Sequence, residues 1–552
     1  MNICNVSRSN RWATPLILCV GLGILLRVFR YALNSPLWWN EAFLAINLPR
    51  RGWLELLNAL DYHQVCPIGF LWVEKAVVSL AGFHEWSLRL APLLSGIGSL
   101  LGMSLLARAT MPRRLAWFAV LMLAVSYHPI RLASEVKPYA TDLAVATWTL
   151  GLSALAIRSG RSQPRSLGLL IVLAPLFLSV SYPSIFVLAG SAVVVFLKKW
   201  PQAESGTRLK LVGLGLSVGL SFCGLQMLAA SAQTESAGSS GMTEFWAEGL
   251  PRWQGAGSFL AWLWKAHTGP LFAFPAGDGP EVSLPALVLA GVGAWALYRR
   301  RRWALLGLFL APFAFTLIAA LAGRYPYGAR ARVVQHLVPC VCVLMVLGGN
   351  QILIRLSQNR NRRHRLAGVL SVALVLVGVL PLIPDYLRPA RTARELGARE
   401  FAQAFWPSLG QEPIICLRWD LGIQPWDSLN PDVALYLCNQ AIYSSGRQRT
   451  PLPNKASGPD HQLNSFVIFD SPAVPETDLG TWLAQQQLLL GPLHERVYWV
   501  PGHEGRPARV RVISTAGLPA RSTAQQYPAP QQPGSDSGPE DSHVREVVSS
   551  TR

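Results

Sequence analysis

Apolar residues run in long blocks broken by short polar punctuation, a pattern that suits neither an amphipathic surface helix nor an alternating strand. Blocks of membrane-crossing length fall at 13–33, 88–107, 115–131, 138–157, 167–197, 210–230, 284–298, 303–322, 333–354 and 366–384. The block 167–197 is too long for one crossing and too short for two full ones. Tyr182 and Pro183 interrupt its middle, which predicts two short helices meeting at a polar turn. About eleven crossings follow. The first block follows Arg8 and Arg11 and leads into no small-residue cleavage site, so it reads as an uncleaved anchor.

Between the blocks, residues 48–60 put Trp53, Leu54, Leu56 and Leu57 on roughly one side, predicting a helix that lies in the interface. Loop 231–283 carries Trp246, Trp253, Trp262 and Trp264, and its Ser/Gly-rich start at 236–241 reads as a mobile lid. After about Asp385 the pattern changes. Residues 394–405 and 478–490 predict helices, and 413–418, 465–469, 496–500 and 508–513 predict strands. From 516 the chain is rich in Pro, Gln, Ser and Gly without apolar period, which predicts a disordered tail. The fold class is thus an α-helical polytopic membrane module over 1–384, an α/β domain over 385–515 and a tail over 516–552.

The composition agrees: 51% of 552 residues are hydrophobic and 14% charged, so most of the surface must meet lipid. A net charge of +19 would point to nucleic acid in a soluble chain. Here the cations sit in alternate short loops: Arg8 and Arg11; Arg108, Arg113 and Arg114; Arg158, Arg161 and Arg165. The series continues with Lys198, Lys199, Arg208 and Lys210, then Arg299, Arg300, Arg301 and Arg302, then Arg355, Arg360, Arg362, Arg363 and Arg365. That alternation sets orientation, excludes a nucleic-acid partner, and predicts a cytoplasmic N-terminus and an extracytoplasmic C-terminus. It holds only if 167–197 crosses twice. The eight cysteines show no metal spacing; Cys416 and Cys438 fall in the C-terminal domain, where pairing is an open alternative.

Two outer motifs carry candidate chemistry: Leu37-Trp38-Trp39-Asn40-Glu41-Ala42, and Ser134-Glu135-Val136-Lys137-Pro138-Tyr139. Ionisable groups at a bilayer boundary are costly unless solvated or used. Glu41, behind two tryptophans, is placed as a general base or as a solvated acid opening an interfacial helix. Glu135 suits a helix N-terminus without any catalytic task, but Lys137 is disfavoured by the same dipole and needs an anion, either Glu135 or a ligand. Tyr139 serves the site or anchors at the interface. Asp142, a turn further on, must face protein or a cavity. His63 and Gln64 adjoin Asp61, and a divalent metal there lacks a second ligand set of suitable spacing. Arg89, Arg324, Arg330 and Arg332 lie on the outer side against the orientation bias, and arginine suits phosphate. Arg27 and Arg30 read as snorkelling from the first span. No internal repeat, nucleotide-binding loop, zinc-protease motif or serine-hydrolase elbow is present.

The order of these pieces resembles the GT-C polyprenyl-phosphate-sugar glycosyltransferases. In particular the order is similar to that of bacterial relatives of dolichyl-phosphate-mannose protein mannosyltransferases and of the aminoarabinose transferase that modifies lipid A. Supporting stretches are Gln64-Val65-Cys66-Pro67-Ile68-Gly69-Phe70-Leu71-Trp72, Ser87-Leu88-Arg89-Leu90-Ala91-Pro92, and Tyr325-Pro326-Tyr327-Gly328 with Arg330 and Arg332. The likeness covers 12 to about 350. It implies inverting transfer of a sugar from an undecaprenyl-type phosphate to an outer hydroxyl of a glycolipid, polysaccharide or protein, in a bacterial cytoplasmic membrane, with no nucleotide and no obligatory cofactor.

It further implies catalysis by Glu41 with Glu135, donor phosphate at Lys137, Arg89, Arg330 and Arg332, and Asn40, His63, Gln64, Tyr139 and Asp142 lining the site. One departure matters: the family pattern is Asp-Glu, and here the first position is Asn40, whose amide accepts no proton at neutral pH. A non-catalytic lipid-sugar-binding member is therefore a second reading. A transporter or flippase is a third, which would want broken helices, central charges and internal symmetry.

Overall fold

The computed structural model describes residues 13–159, 165–239, 246–251, 255–277, 280–357 and 359–408, and of the C-terminal part 415–418, 431–444, 465–470, 484, 494–501, 507–514 and 545–546. The chain forms two compact units. The first is Met1–Asn34, Trp53–Gly82 and Trp86–Pro389; the second is Ser35–Gly52, Phe83–Glu85 and Ala390–Arg552. The segment 34–87 is thus divided between them.

In the first unit each apolar block becomes a helix. These are α1 (Ala13–Ala32), α2 (Leu90–Thr110), α3 (Arg113–Val125), α4 (Tyr139–Arg158), α5 (Arg165–Val180), α6 (Ser184–Lys199), α7 (Ser205–Leu225), α8 (Pro280–Arg299), α9 (Trp303–Leu321), α10 (Val338–Leu356) and α11 (Arg360–Val379). Among the described residues eight helices are long and apolar enough to cross a membrane. The others are α3, at 13 residues, α5, at 16, and α11, whose first turns carry the arginines. The split of 167–197 is present. Pro183 caps α6, and its ring disfavours helix at Tyr182, so the chain turns there. α3 stops short of its block at Ser126, and a separate short helix, Tyr127–Leu132, follows.

α4 packs along α2, α8 along α10, α5 along α7, α6 along α9 and α1 along α3. The α8–α10 crossing needs glycine on both sides: a Cβ at Gly293 would strike the Leu344 carbonyl, and one at Gly348 the Leu289 carbonyl. The core is aliphatic, built from residues such as Leu106, Leu123, Leu143, Leu308 and Val341.

The single interfacial helix expected over 48–60 is absent. Short helical turns at Asn47–Arg50, Glu55–Leu57 and Asp61–His63 stand in its place, because Pro49 and Gly52 are poor helix interior residues. The start of the expected lid is helical at Ser231–Ser239, and residues 240–245 lie outside the described set.

The second unit combines helices Trp39–Ala45, Ala393–Ser408 and Pro431–Tyr443 with a sheet. Its strands are β1 (Ile415–Arg418), β2 (Ser465–Asp470), β3 (His494–Pro501), β4 (Pro507–Ser514) and β5 (Arg545–Glu546), in the order β1-β2-β4-β3-β5. β1 and β2 are parallel and the remaining pairs antiparallel. Phe401, Phe405 and Tyr498 join helix to sheet, with Phe405 and Tyr498 ring centroids 5.2 Å apart. The helix expected over 478–490 lies outside the described residues apart from 484, as does the expected tail apart from β5. The cysteine pairing left open by the sequence is not formed. Cys438 carries a free, buried thiol 3.4 Å from the Ala42 carbonyl, and the Cys416 side chain lies outside the described residues.

Candidate functional site

Within the first unit, the segment from Tyr127 to Asp142 builds a buried polar network. The short helix ends at Leu132, the Lys137 N–H closes a tight turn on the Glu135 carbonyl at 2.7 Å, and Pro138 caps α4. Glu135 and Lys137 are both buried. Lys137 Nζ donates to Gln64 Oε1 at 2.7 Å, while Gln64 Nε2 donates to the Tyr62 carbonyl at 2.9 Å. That second bond fixes which end of the amide meets the lysine. The chain reaches Gln64 through Tyr62 and His63, both left-handed at φ 57° and 49°.

Glu135 pairs with Arg131, four residues earlier, at 3.6 Å. Arg131 also faces Asp385 at 3.6 Å and donates to the Tyr127 hydroxyl at 2.6 Å. Asp385 is held from its other side by Arg30, at 3.7 Å to the carboxylate and 3.1 Å to the backbone carbonyl. Arg89 lies within electrostatic reach of Arg30. Tyr139 lies within reach of Arg332, Glu135, Asp142 and Cys66, and Cys66 within reach of Lys137 and Glu74. Asp142 is buried beside Ser181, in the turn between α5 and α6. Burial pushes the Cys66 thiol well up. Its backbone N–H is held by Gln233 Oε1 at 2.9 Å, and Tyr182 donates to both Cys66 O and Gln233.

Of the residues expected from sequence, Glu135, Lys137, Gln64, Tyr139, Asp142, Arg89 and Arg332 fall in this one network. Arg332 also lies 5.7 Å from the Trp246 ring centroid. Arg330 is exposed. His63 is half-buried, and among the described residues no group of three or more His, Cys, Asp or Glu is placed to hold a metal ion. Glu41 and Asn40 belong to the second unit, on helix Trp39–Ala45. Glu41 is buried, and its Oε2 accepts the Trp38 N–H at 3.1 Å; the Arg391 guanidinium lies 3.6 Å over the Trp38 ring.

Sequence reasoning missed Arg131, Asp385, Tyr127 and Gln233. The spacing of Arg131 four residues before Glu135 was the one available signal. The snorkelling expected of Arg27 and Arg30 is corrected: both are buried in protein, Arg30 against Asp385 and Arg27 against backbone carbonyls.

Residues 65–223 match the dolichyl-phosphate-mannose-protein mannosyltransferase family. The structure is similar to that of ArnT from Cupriavidus metallidurans in the apo state, with a TM-score of 0.50 and 14% identity over 92% of this chain and 99% of that one. The likeness to ArnT is one of fold. ArnT from the same organism bound to undecaprenyl phosphate gives the same TM-score, identity and coverage. The Archaeoglobus fulgidus oligosaccharyltransferase in complex with Zn and sulfate matches at a TM-score of 0.45 and 14% identity, over 90% of this chain and 72% of that one. No protein of curated function matches by sequence. Among the described residues eight helices are long and apolar enough to cross a membrane, and the family-matched segment includes Glu74, Arg89, Arg131, Glu135, Lys137 and Asp142.

Proposed function

We propose that the chain is a bacterial inner-membrane glycosyltransferase, with cytoplasmic N-terminus and extracytoplasmic C-terminus. It moves a sugar from a polyprenyl-phosphate donor to an acceptor hydroxyl with inversion at the anomeric carbon. The observation that carries this reading is the buried cationic network around Glu135 and Lys137, inside the segment similar to a family that uses a lipid-phosphate sugar. Support also comes from ArnT, similar in fold, whose structure holds undecaprenyl phosphate. The isoprenoid chain would lie in lipid and its phosphate among cations.

In the reaction the acceptor oxygen attacks the anomeric carbon, the bond from that carbon to the phosphate oxygen breaks, and the lipid phosphate leaves with added negative charge. Lys137, with Arg89, Arg131 and Arg332 nearby, stabilises that charge as it develops. A carboxylate takes the acceptor's proton. Glu135, beside Arg131, is suited to orienting this cluster, and Glu41 is the carboxylate proposed for the proton. A second reading, lipid-sugar binding without transfer, is favoured by one observation: Asn40 stands in the Asp position and the Glu41 carboxylate caps its own helix.

Reconstituted protein with a radiolabelled polyprenyl-phosphate sugar separates the two. The transferase reading expects turnover that falls on the order of a hundredfold in Lys137→Gln. It also expects Glu41→Gln to keep donor binding while losing transfer. Donor retention by wild type without turnover under any acceptor, restored in Asn40→Asp, selects the second reading. A chelator series on the same preparation reports any divalent-cation requirement.

A further inference from the structure

The end of the molecule away from the candidate site holds a second cationic cluster. α8 starts beside the site, where the Pro275 carbonyl accepts the Tyr127 N–H at 2.8 Å. At its far end the chain reverses into α9 through Arg299, Arg300, Arg301 and Arg302, with no acid among them. Arg301 sits at φ 53°, a region that a Cβ disfavours and where glycine is the default. The turn is closed by the Arg301 N–H on Tyr298 O at 2.9 Å and the Arg302 N–H on Leu297 O at 3.0 Å. A glycine would make the same backbone bonds without strain, so the turn itself gives no reason for an arginine.

All four side chains are exposed. Arg300 reaches across to α10 and donates to the neutral Gln351 amide at 3.0 Å. Arg355, one turn beyond Gln351 on the same helix face, is exposed as well. Among the described residues none of these five arginines pairs with a carboxylate. Beside them Trp295, Tyr298 and Trp303 are exposed at 55%, 46% and 53%, and pack on one another at 5.3 Å and 4.7 Å. Clustered amphipathic rings of this kind belong at headgroup depth. Orientation in the membrane needs only charge in a loop; it is indifferent to a strained φ and to a stack of rings beside it.

We infer that this turn binds the phosphate headgroup of an anionic phospholipid, phosphatidylglycerol or cardiolipin. The arginines would take the phosphate oxygens, and the rings would take the glycerol and upper acyl carbons. The site is separate from the donor network and would hold a lipid that is not consumed.

The test uses the full chain, delipidated, placed in phosphatidylcholine nanodiscs and titrated with phosphatidylglycerol or cardiolipin, with retained lipid counted by native mass spectrometry. Wild type is expected to retain anionic lipid selectively. Arg301→Gly is expected to unfold at the same temperature or higher while retaining anionic lipid about fivefold less well. Combining it with Arg299→Gln and Arg302→Gln should weaken retention on the order of a hundredfold. Replacing Arg113 and Arg114, which open α3 at the same end in ordinary helical geometry, by Gln should leave retention unchanged. Unchanged retention in the triple variant overturns the inference, and so does an equal loss in the Arg113/Arg114 variant. Displacement of the lipid by inorganic phosphate alone would make the turn a free-anion site and overturn it too.

Discussion

Arg27 is the residue whose sequence reading changes most. An arginine near the end of an apolar block suggests a side chain stretching to the headgroups, yet its guanidinium is fully buried. It donates to Gly23 O at 3.0 Å and to Leu123 O and Ala124 O at 3.3 Å each. It thereby adds a donor to the last turn of α3, where the Leu123 carbonyl also takes the Ser126 N–H at 3.4 Å and a helix leaves its final carbonyls short of partners. Gly96 leaves the room: a Cβ there would lie 3.3 Å from Arg27 Cδ and 2.6 Å from Ala133 Cβ. Arg27→Leu is expected to cost about 1–3 kcal/mol, read as a lower unfolding temperature in detergent, with Arg27→Lys recovering part of it. An unchanged melting curve in Arg27→Leu would remove this role. Glu41 offers a cleaner separation. Glu41→Ala loses the cap on Trp38 and is expected to cost about 1 kcal/mol, whereas Glu41→Gln keeps an oxygen acceptor and should stay close to wild type in stability. A transfer defect in Glu41→Gln with an unshifted melt is then chemical and not structural.

At the scale of elements, the break between α5 and α6 was legible because Pro183 acts locally on the residue before it. Helix Pro431–Tyr443 was not. Its residues Ala434, Leu435, Tyr436, Leu437 and Cys438 are all buried, so no amphipathic period marks it, and packing against Ala393–Ser408 decides its state. The helix Ala256–His267 carries a titratable latch. His267 Nδ1 meets the Leu263 carbonyl at 2.8 Å and Nε2 meets the Tyr327 hydroxyl at 3.3 Å. Burial lowers its pKa from the ordinary 6.5, with the Leu263 carbonyl opposing in part. A depressed folded value means stabilisation that is present above about 6.5 and lost as pH falls through the folded value. Protection of the amides across 256–267, read as exchange relative to the intrinsic rate at each pH, should therefore fall on acidification, and His267→Gln should flatten that dependence. In the second unit Tyr443 donates to Glu85 at 2.7 Å and accepts from Arg399 at 3.1 Å. Burial and the Glu85 charge push its phenol up to about 12, so the hydroxyl stays neutral and works as a donor.

At the scale of the whole molecule, the network joins residues that no local window can relate. Arg30 and Asp385 sit near opposite ends of the first unit's sequence, yet Asp385 stands between Arg30 and Arg131. Removing its charge would leave two largely buried guanidinium groups facing each other. Asp385→Asn is expected to cost on the order of 3 kcal/mol, and Arg30→Gln in the same chain to recover part of it; additive losses in a double-mutant cycle would refute the coupling.

Hydropathy fixed the number and order of the helices, because each must satisfy its own backbone bonds in lipid and so declares itself in local composition. Charge alternation likewise supplied an expected orientation, and the two acidic motifs stood out because ionisable groups at a bilayer boundary are costly unless solvated or used. Tertiary packing alone decided that loop 34–87 divides between two units, that Gln64 takes the Lys137 ammonium, and that Arg27 and Arg30 turn inward. Those outcomes depend on which helix faces meet, and pairings between distant residues leave no trace in a pattern that repeats every few positions.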